Sequence, residues 1–221
     1  MGKVGAVIVA AGSGKRMGTD IPKQFLLLND EPIIRHTVEK FQNCKKIDEI
    51  VVVTGKEHIK TCLDILKDVD KLKTVVSGGK ERQDSVVKGI EALSEDCEYV
   101  LIHDGVRPFI KNDDILRVIE AVKKWGACVM AVKSKDTVKI AKDGFVKATP
   151  DRSALWNAQT PQAFKTDLIK KAYKKAAKEK AVLTDDAMAA ELLGEKVRIV
   201  EGGYYNIKIT TPEDLKGNIE L

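Results

Sequence analysis

Cysteine, histidine and aromatic side chains are sparse in this chain of 221 residues, and each scarcity removes a class of chemistry. The four cysteines, Cys44, Cys62, Cys97 and Cys128, form no CxxC pair and no cluster with histidine. They read as reduced, partly buried thiols, leaving neither a zinc-ligand spacing nor a disulfide framework. His36, His58 and His103 are equally dispersed, so a histidine-built metal site is not expected. Aromatics make up 5% of residues. That is too few for the stacking platforms that hold single-stranded nucleic acids, and the basic residues are interleaved with acids. No apolar run approaches the roughly 20 residues that cross a bilayer. At the start, a lysine precedes an apolar stretch and small residues follow, as in a secretory leader. The stretch is short, however, and runs into Gly-Ser-Gly-Lys-Arg, which reads better as a buried strand feeding a loop. The expectation is a cytoplasmic chain that begins at Met1 and binds neither membrane nor nucleic acid.

What is present is ordinary in bulk and patterned in order. Hydrophobic residues at 43% and charged residues at 32% are those of a globular protein. A net charge of +5 suits an anionic small molecule without selecting one. Residues 4–10, 49–54, 72–76, 99–103 and 127–132 are apolar, β-branched runs of the kind buried on both faces of a parallel sheet. Between them, 32–41, 57–67, 81–93 and 113–124 carry helical periodicity. Pro32 suits a first turn, and Asn112-Asp113-Asp114 suits a cap. This alternation predicts an α/β, Rossmann-like, doubly wound and mostly parallel sheet with right-handed crossovers.

The rhythm breaks from about residue 133 to 164. Polar and apolar residues alternate over 135–140, and Asp143-Gly144 offers a hairpin turn before 145–148. A lone hairpin is marginal without something to pack on, so a protruding β-arm at about 133–152 is expected, docking on a second subunit. Helices over 165–180 and 184–193, a strand near 197–200 and a closing segment over 206–215 complete a single domain, 1–221. The lysine-dense run 170–180 reads as a solvated helix face.

The residues that carry chemistry gather in the predicted loops. Ala10-Ala11-Gly12-Ser13-Gly14-Lys15-Arg16-Met17-Gly18, then Pro22-Lys23-Gln24-Phe25, follow the first strand, where open α/β sheets bind ligands. Small residues let backbone N–H groups approach phosphate oxygens, and Lys15, Arg16 and Lys23 add charge. The spacing is neither a Walker A loop nor a dinucleotide fingerprint. Ser77-Gly78-Gly79-Lys80-Glu81-Arg82-Gln83-Asp84-Ser85 joins a strand to a helix and, taken alone, reads as a capped turn. His103-Asp104-Gly105-Val106-Arg107-Pro108-Phe109 puts a carboxylate at a strand's carboxyl end, placed to hold Mg²⁺ against a polyphosphate. Arg107 can pair with a phosphate. Asp136-Thr137-Val138-Lys139, and Arg152 through Gln159-Thr160-Pro161-Gln162, put hydroxyl, amide and cationic groups on the irregular arm, suited to a polyol phosphate. Asn206 to Leu215 places Lys208 on a short strand, with Thr211 capping a helix that opens at Pro212. Many fixed cations, one metal carboxylate and no evident nucleophile or histidine base fit phosphoryl or nucleotidyl transfer.

In combination and in order, these segments resemble the 2-C-methyl-D-erythritol 4-phosphate cytidylyltransferase family over essentially the whole chain. The resemblance implies that Ala10, Ala11, Gly12, Gly14, Gly79, Ser85 and Gly105 line a pocket for CTP. It implies that Arg16 and Lys23 stabilise the pentavalent α-phosphate and that Asp104 helps bind Mg²⁺. Arg152 and Lys208 would position the acceptor, a polyol phosphate, with Arg107, Asp136, Thr137 and Thr160 in its pocket. A homodimer is implied too, its arm completing the partner's acceptor site. Val106 and Tyr205 depart from the family's usual residues at their positions. A ribitol-5-phosphate cytidylyltransferase and a non-catalytic nucleotide-binding domain stand as alternatives.

Overall fold

Successive residues of the first strand point into different cores, which explains why its sequence is apolar throughout. In a computed structural model, which describes residues 2–12 and 21–216, β1 spans Lys3–Ala10. Val7 packs in one buried cluster and Ile8 in another, on opposite faces of the sheet. Val51 and Val52 divide in the same way along β4, Glu49–Thr54, all six residues of which are buried.

The remaining strands are β2 (Leu27–Leu28), β3 (Glu31–Pro32), β5 (Leu72–Ser77), β6 (Cys97–Asp104), β7 (Ala127–Lys133), β8 (Ile140–Lys142), β9 (Phe145–Ala148), β10 (Trp156–Lys165) and β11 (Arg198–Glu201). Among the described residues, one seven-stranded sheet runs β11-β7-β10-β6-β1-β4-β5. Parallel pairing joins β5 to β4, β4 to β1, β1 to β6 and β7 to β11.

Helices cover both faces. On one side lie α1 (Ile33–Gln42), α2 (Ile59–Ile65) and α4 (Asn112–Trp125), which bury Val38, Phe41, Cys62, Ile115 and Val122. On the other lie α3 (Arg82–Glu91), α5 (Thr166–Glu179) and α6 (Asp186–Leu192), which bury Val86, Ile90, Ile169 and Ala190. The lysines of α5 lie opposite its buried stripe of Ile169, Ala172, Tyr173 and Ala176, as a solvated face should. A short α7, Glu213–Lys216, follows. None of the helices among the described residues is long and apolar enough to cross a membrane.

Three sequence expectations change. The segment 156–164, read as part of the irregular stretch beyond the arm, belongs with Lys165 to β10, a ten-residue strand running antiparallel between β6 and β7. Gln159, Thr160 and Gln162 are accordingly buried in the sheet. Its polar composition hid it, because these side chains are satisfied inside the protein. Gln162 accepts from the Ala187 N–H at 2.7 Å and donates to Asp185 at 3.1 Å, tethering the start of α6. Residues 206–210, read as a strand, are irregular, although the Ile209 N–H still donates to the Val106 carbonyl at 2.9 Å. The caps also differ. Asp214 reaches back to accept from the Thr210 and Thr211 N–H groups. Asp114 does the same for Lys111 ahead of α4, so the cap expected from Asn112-Asp113-Asp114 is supplied by its third residue, whereas at the last helix the group that reaches back is Asp214 and not Thr211.

The expected hairpin is present as β8 and β9, closed by Asp143 and Gly144 at φ of 51° and 80°. Positive φ at both central positions is the signature of a tight hairpin turn. Every residue of the two strands is exposed.

Candidate active site

The carboxyl ends of β1 and β6 lie side by side, Val9 pairing with Asp104. Above them opens a cavity of about 530 Å³, lined by Val9, Ala10, Ala11, Gly12, Lys23, Gln24, Gly79, Lys80, Glu81, Arg82, Ser85, Asp104, Val106, Lys208 and Thr210. Its floor is pinned by hydrogen bonds. The buried Gln24 amide donates to the Ala10 carbonyl at 2.7 Å. Thr37 of α1 donates to the Gly105 carbonyl at 3.0 Å, and the Gly105 N–H donates to Val9 at 2.8 Å. On the far wall the Ser85 hydroxyl accepts from the Gly79 N–H at 3.0 Å and donates to the Glu81 carbonyl at 3.2 Å.

Asp104 is the electrostatic centre of the cavity. It is 6% exposed, with Lys208 Nζ at 2.9 Å and Arg107 Nε at 3.4 Å from Oδ2, and Arg82 Nη2 at 3.8 Å from Oδ1. Burial alone would raise its pKa, but Lys208, Arg82 and Arg107 outweigh it and hold the carboxyl ionised, far below the usual range. Even with the buried Asp186 paired to Arg82, the cations of this cluster outnumber its anions by one, and Lys208 and Arg82 line the cavity. Lys23 adds to this excess, its Nζ donating to the Ile209 carbonyl at 3.1 Å. Such a surface stabilises a polyphosphate.

Behind Asp104 lies a buried relay. Burial is the main cause that pushes His103 down to about 4, so the ring is neutral at neutral pH. Its partners then assign the tautomer. Nε2–H donates to the Arg107 carbonyl at 3.2 Å, and Nδ1 accepts from the Thr160 hydroxyl at 3.1 Å. That hydroxyl in turn accepts from the Asp104 N–H at 3.0 Å. Arg107 spends one arm on the Asn206 carbonyl at 2.7 Å, while the Asn206 amide donates to the Thr160 carbonyl at 2.9 Å. The relay sets the backbone of Asp104 against β10 and anchors the segment that carries Lys208.

The structure thus brings together Ala10, Ala11, Gly12, Lys23, Gly79, Ser85, Asp104 and Lys208 around one cavity. Gly105 lies just beneath it. Arg107 and Thr160, expected to face an acceptor, are buried and direct their polar groups into the relay. Arg152, Asp136 and Thr137 do not line the cavity. They are exposed at the root of the arm, where Arg152 donates to the Lys135 carbonyl at 3.2 Å. Gly14 and Arg16 lie outside the described residues. Val106 lines the cavity and packs with Ile33, Phe109 and Ile209, while Tyr205 turns away to donate to Asp114.

Two residues receive no role from the sequence, Arg82 although it falls within a segment that carries the family resemblance. Arg82 stands first in α3 and lines the cavity, yet a charged residue after a Gly-Gly turn looks like ordinary surface. Asp186, fully buried, takes both arms of Arg82 at 2.7 and 2.8 Å. Beside Asp185, the residue that caps α6 through the Met188 N–H, it looks like one more helix-start acid.

Comparison with known proteins agrees with this geometry. The chain matches the model of the family described as IspD, 2-C-methyl-D-erythritol 4-phosphate cytidylyltransferase, over residues 4–218. It is 48% identical over 217 residues to the protein of that name from Alkaliphilus oremlandii, covering 96% of this chain and 92% of that one. The one from Clostridium perfringens is 48% identical over 219 residues, covering 97% and 96%. Among solved structures, the 4-diphosphocytidyl-2C-methyl-D-erythritol synthase of Anaerococcus prevotii superposes with a TM-score of 0.88 at 39% identity, covering 97% of this chain and 93% of that one. The Thermus thermophilus 2-C-methyl-D-erythritol 4-phosphate cytidylyltransferase gives 0.79 at 30% identity, covering 95% and 94%. With the family model matched over residues 4–218 and relatives 48% identical over nearly the whole chain, the chain belongs to the 2-C-methyl-D-erythritol 4-phosphate cytidylyltransferase family.

Proposed function

We propose that the chain transfers the cytidylyl group of CTP to the phosphate of 2-C-methyl-D-erythritol 4-phosphate, releasing pyrophosphate, as a step in isoprenoid precursor biosynthesis. The observation that carries the chemistry is Asp104 at the joined ends of β1 and β6, ringed by Lys208, Arg107 and Arg82. An ionised phosphate oxygen of the acceptor attacks the α-phosphorus of CTP. The new P–O bond forms as the bond to the α–β bridging oxygen breaks, and pyrophosphate leaves with that electron pair. The nucleophile carries no proton, so no side chain has to remove one. The fully buried, neutral His103 is accordingly a structural member of the site. Catalysis then rests on position and on charge neutralisation by Lys23, Lys208 and Arg82, with Arg16 added by family resemblance.

The small-residue floor of Ala10, Ala11 and Gly12, with Gly79 and Ser85 opposite, suits the nucleotide, with Gly14 and Gly105 assigned to the same pocket. Mg²⁺ fits the donor set. This ion is commonly held by one or two carboxylates together with substrate phosphates, and Asp104 supplies one carboxylate at the cavity wall. Among the described residues no group of three or more His, Cys, Asp or Glu side chains would hold an ion unaided. Asp104 would hold it jointly with CTP, and the bound ion would supply further neutralisation of phosphate charge.

Arg152, Asp136 and Thr137 remain assigned to the acceptor side, reaching it in a homodimer through the arm, while Arg107 and Thr160 serve that side only through the buried relay. Supporting this, Phe145 is 74% exposed and Val146 61% on a hairpin without a core of its own. The reaction, between water-soluble phosphates, suits the cytoplasm. Parallel assays of pyrophosphate release with CTP and either acceptor test the reading. Turnover of 2-C-methyl-D-erythritol 4-phosphate is expected; turnover of ribitol 5-phosphate alone would overturn the choice.

A further inference from the structure

Arg82 is held at the cavity wall by an anion 104 residues away in the chain. Asp186, the first residue of α6, is fully buried, and its two oxygens take Nη1 and Nη2 of Arg82 at 2.7 and 2.8 Å. The Tyr173 hydroxyl of α5 donates to the same carboxylate at 2.5 Å. A two-armed pairing fixes the guanidinium plane as well as its position. Held this way, the side chain is still 33% exposed, and Nη2 stands 3.8 Å from Asp104 Oδ1. Arg82 therefore sits between two carboxylates, tight on the remote one and loose on the one in the site. Remove the charge of Asp186, and the nearest anion left to Arg82 is Asp104.

An ion pair that only welds α3, α5 and α6 together would have no reason to end in the cavity. This one does: Arg82 lines it beside Ser85 and Gly79. We infer that Asp186, supported by Tyr173, is a positioning residue for CTP. It holds Arg82 where its charge faces the nucleotide's phosphates and keeps it from closing on Asp104. The inference rests on the reading of the cavity as a CTP site. A buried carboxylate on α6 thereby governs affinity at a site built from β1, β6 and α3.

The test separates nucleotide from acceptor. Asp186→Asn keeps the shape and removes the charge. It is expected to raise KM for CTP, and the Kd for CTP measured by calorimetry, about tenfold, as loss of a charge-assisted pair implies. KM for the acceptor phosphate is expected to move by less than about twofold. Asp186→Glu, which restores the charge, is expected to recover most of the affinity. An equal rise in both KM values, or a fall in kcat with CTP affinity intact, would overturn the inference, because a purely structural weld predicts either. Should Asp186→Asn fail to fold, Tyr173→Phe removes a single hydroxyl and is expected to raise the Kd for CTP about threefold. An unchanged Kd in folded Tyr173→Phe would be equally fatal. Wild-type protein that neither binds CTP nor releases pyrophosphate would sink the cytidylyltransferase reading, and this inference with it.

Discussion

The carboxyl end of β6 and the β8–β9 arm both consist of polar and charged residues broken by turns, yet they fold under opposite rules. Around Asp104, the polar groups of His103, Thr160, Asn206 and Arg107 are buried and bonded to one another. On the arm, β8 and β9 are exposed throughout, and apolar Phe145 and Val146 face solvent. The first region finds nearly all of its partners within one chain, Asn206 Oδ1 having none among the described residues, while the second stays exposed. A buried polar network is costly when half satisfied, so each member there constrains the next. An exposed hairpin is constrained only by its turn and by whatever docks on it.

The sharpest way to test this contrast is to remove charge from the first region. Lys208→Ala, which takes away the partner 2.9 Å from Asp104, and Lys23→Ala should each lower kcat by on the order of 10²- to 10³-fold, as loss of a transition-state cation does. Circular dichroism should show both folded. Turnover within a factor of about two of wild type would remove the electrostatic account of catalysis. Asp104→Ala should lose activity and also about 3 kcal/mol of stability, because Lys208 and Arg107 would lose their shared anion, while Arg82 would keep only Asp186. Denaturant midpoints measure that cost. In the second region, Phe145→Ser should weaken self-association and acceptor turnover while changing the stability of the monomer by less than about 0.5 kcal/mol. Sedimentation over a concentration series reads the first effect. A wild-type protein that stays monomeric throughout would remove the arm's proposed role.

The same contrast explains what could be read from the sequence. β1, β4, β6 and β7 were legible because a strand buried on both faces is apolar along nearly its whole length, while the edge strand β5, with Lys73 exposed and only Val75 fully buried, was marked by its β-branched residues. The cavity loop was legible because small residues and cations after such a strand have few other uses. β10 was not legible. Its central residues Gln159, Thr160 and Gln162 carry polar side chains satisfied by partners distant in sequence, such as the α6 backbone at Ala187 and the loop at Gly203. No local pattern encodes those partners. Asp186 was hidden for the same reason: its meaning lies in Arg82, 104 residues away. Arg107 and Thr160 were recognisable as important by their motifs, but not as inward-facing, since burial of a polar side chain depends on what packs over it. The arm shows the reverse case. Its Asp-Gly turn is a purely local signal, and the hairpin formed where expected, although both of its strands are exposed.

The finest comparison uses one change in both regions. Gly126 and Gly144 have nearly equal left-handed backbones, at φ of 81° and 80°, and a Cβ on either meets nothing closer than 3.9 Å. Substituting alanine therefore costs the same local strain, about 1 kcal/mol, at both. Gly126 ends α4 and leads into β7, and its N–H donates to Val122 at 2.8 Å while its carbonyl accepts from Lys165 of β10 at 2.8 Å. Strain there is felt by the whole sheet, so Gly126→Ala should lower global unfolding stability by that full amount. Gly144 closes a hairpin whose two strands are exposed throughout. Gly144→Ala should leave the unfolding midpoint of the monomer unmoved and show itself only as weaker self-association. Equal losses of global stability in the two variants would mean that the arm folds as part of the core, and the division between a self-contained site and an arm completed by a partner would have to be abandoned.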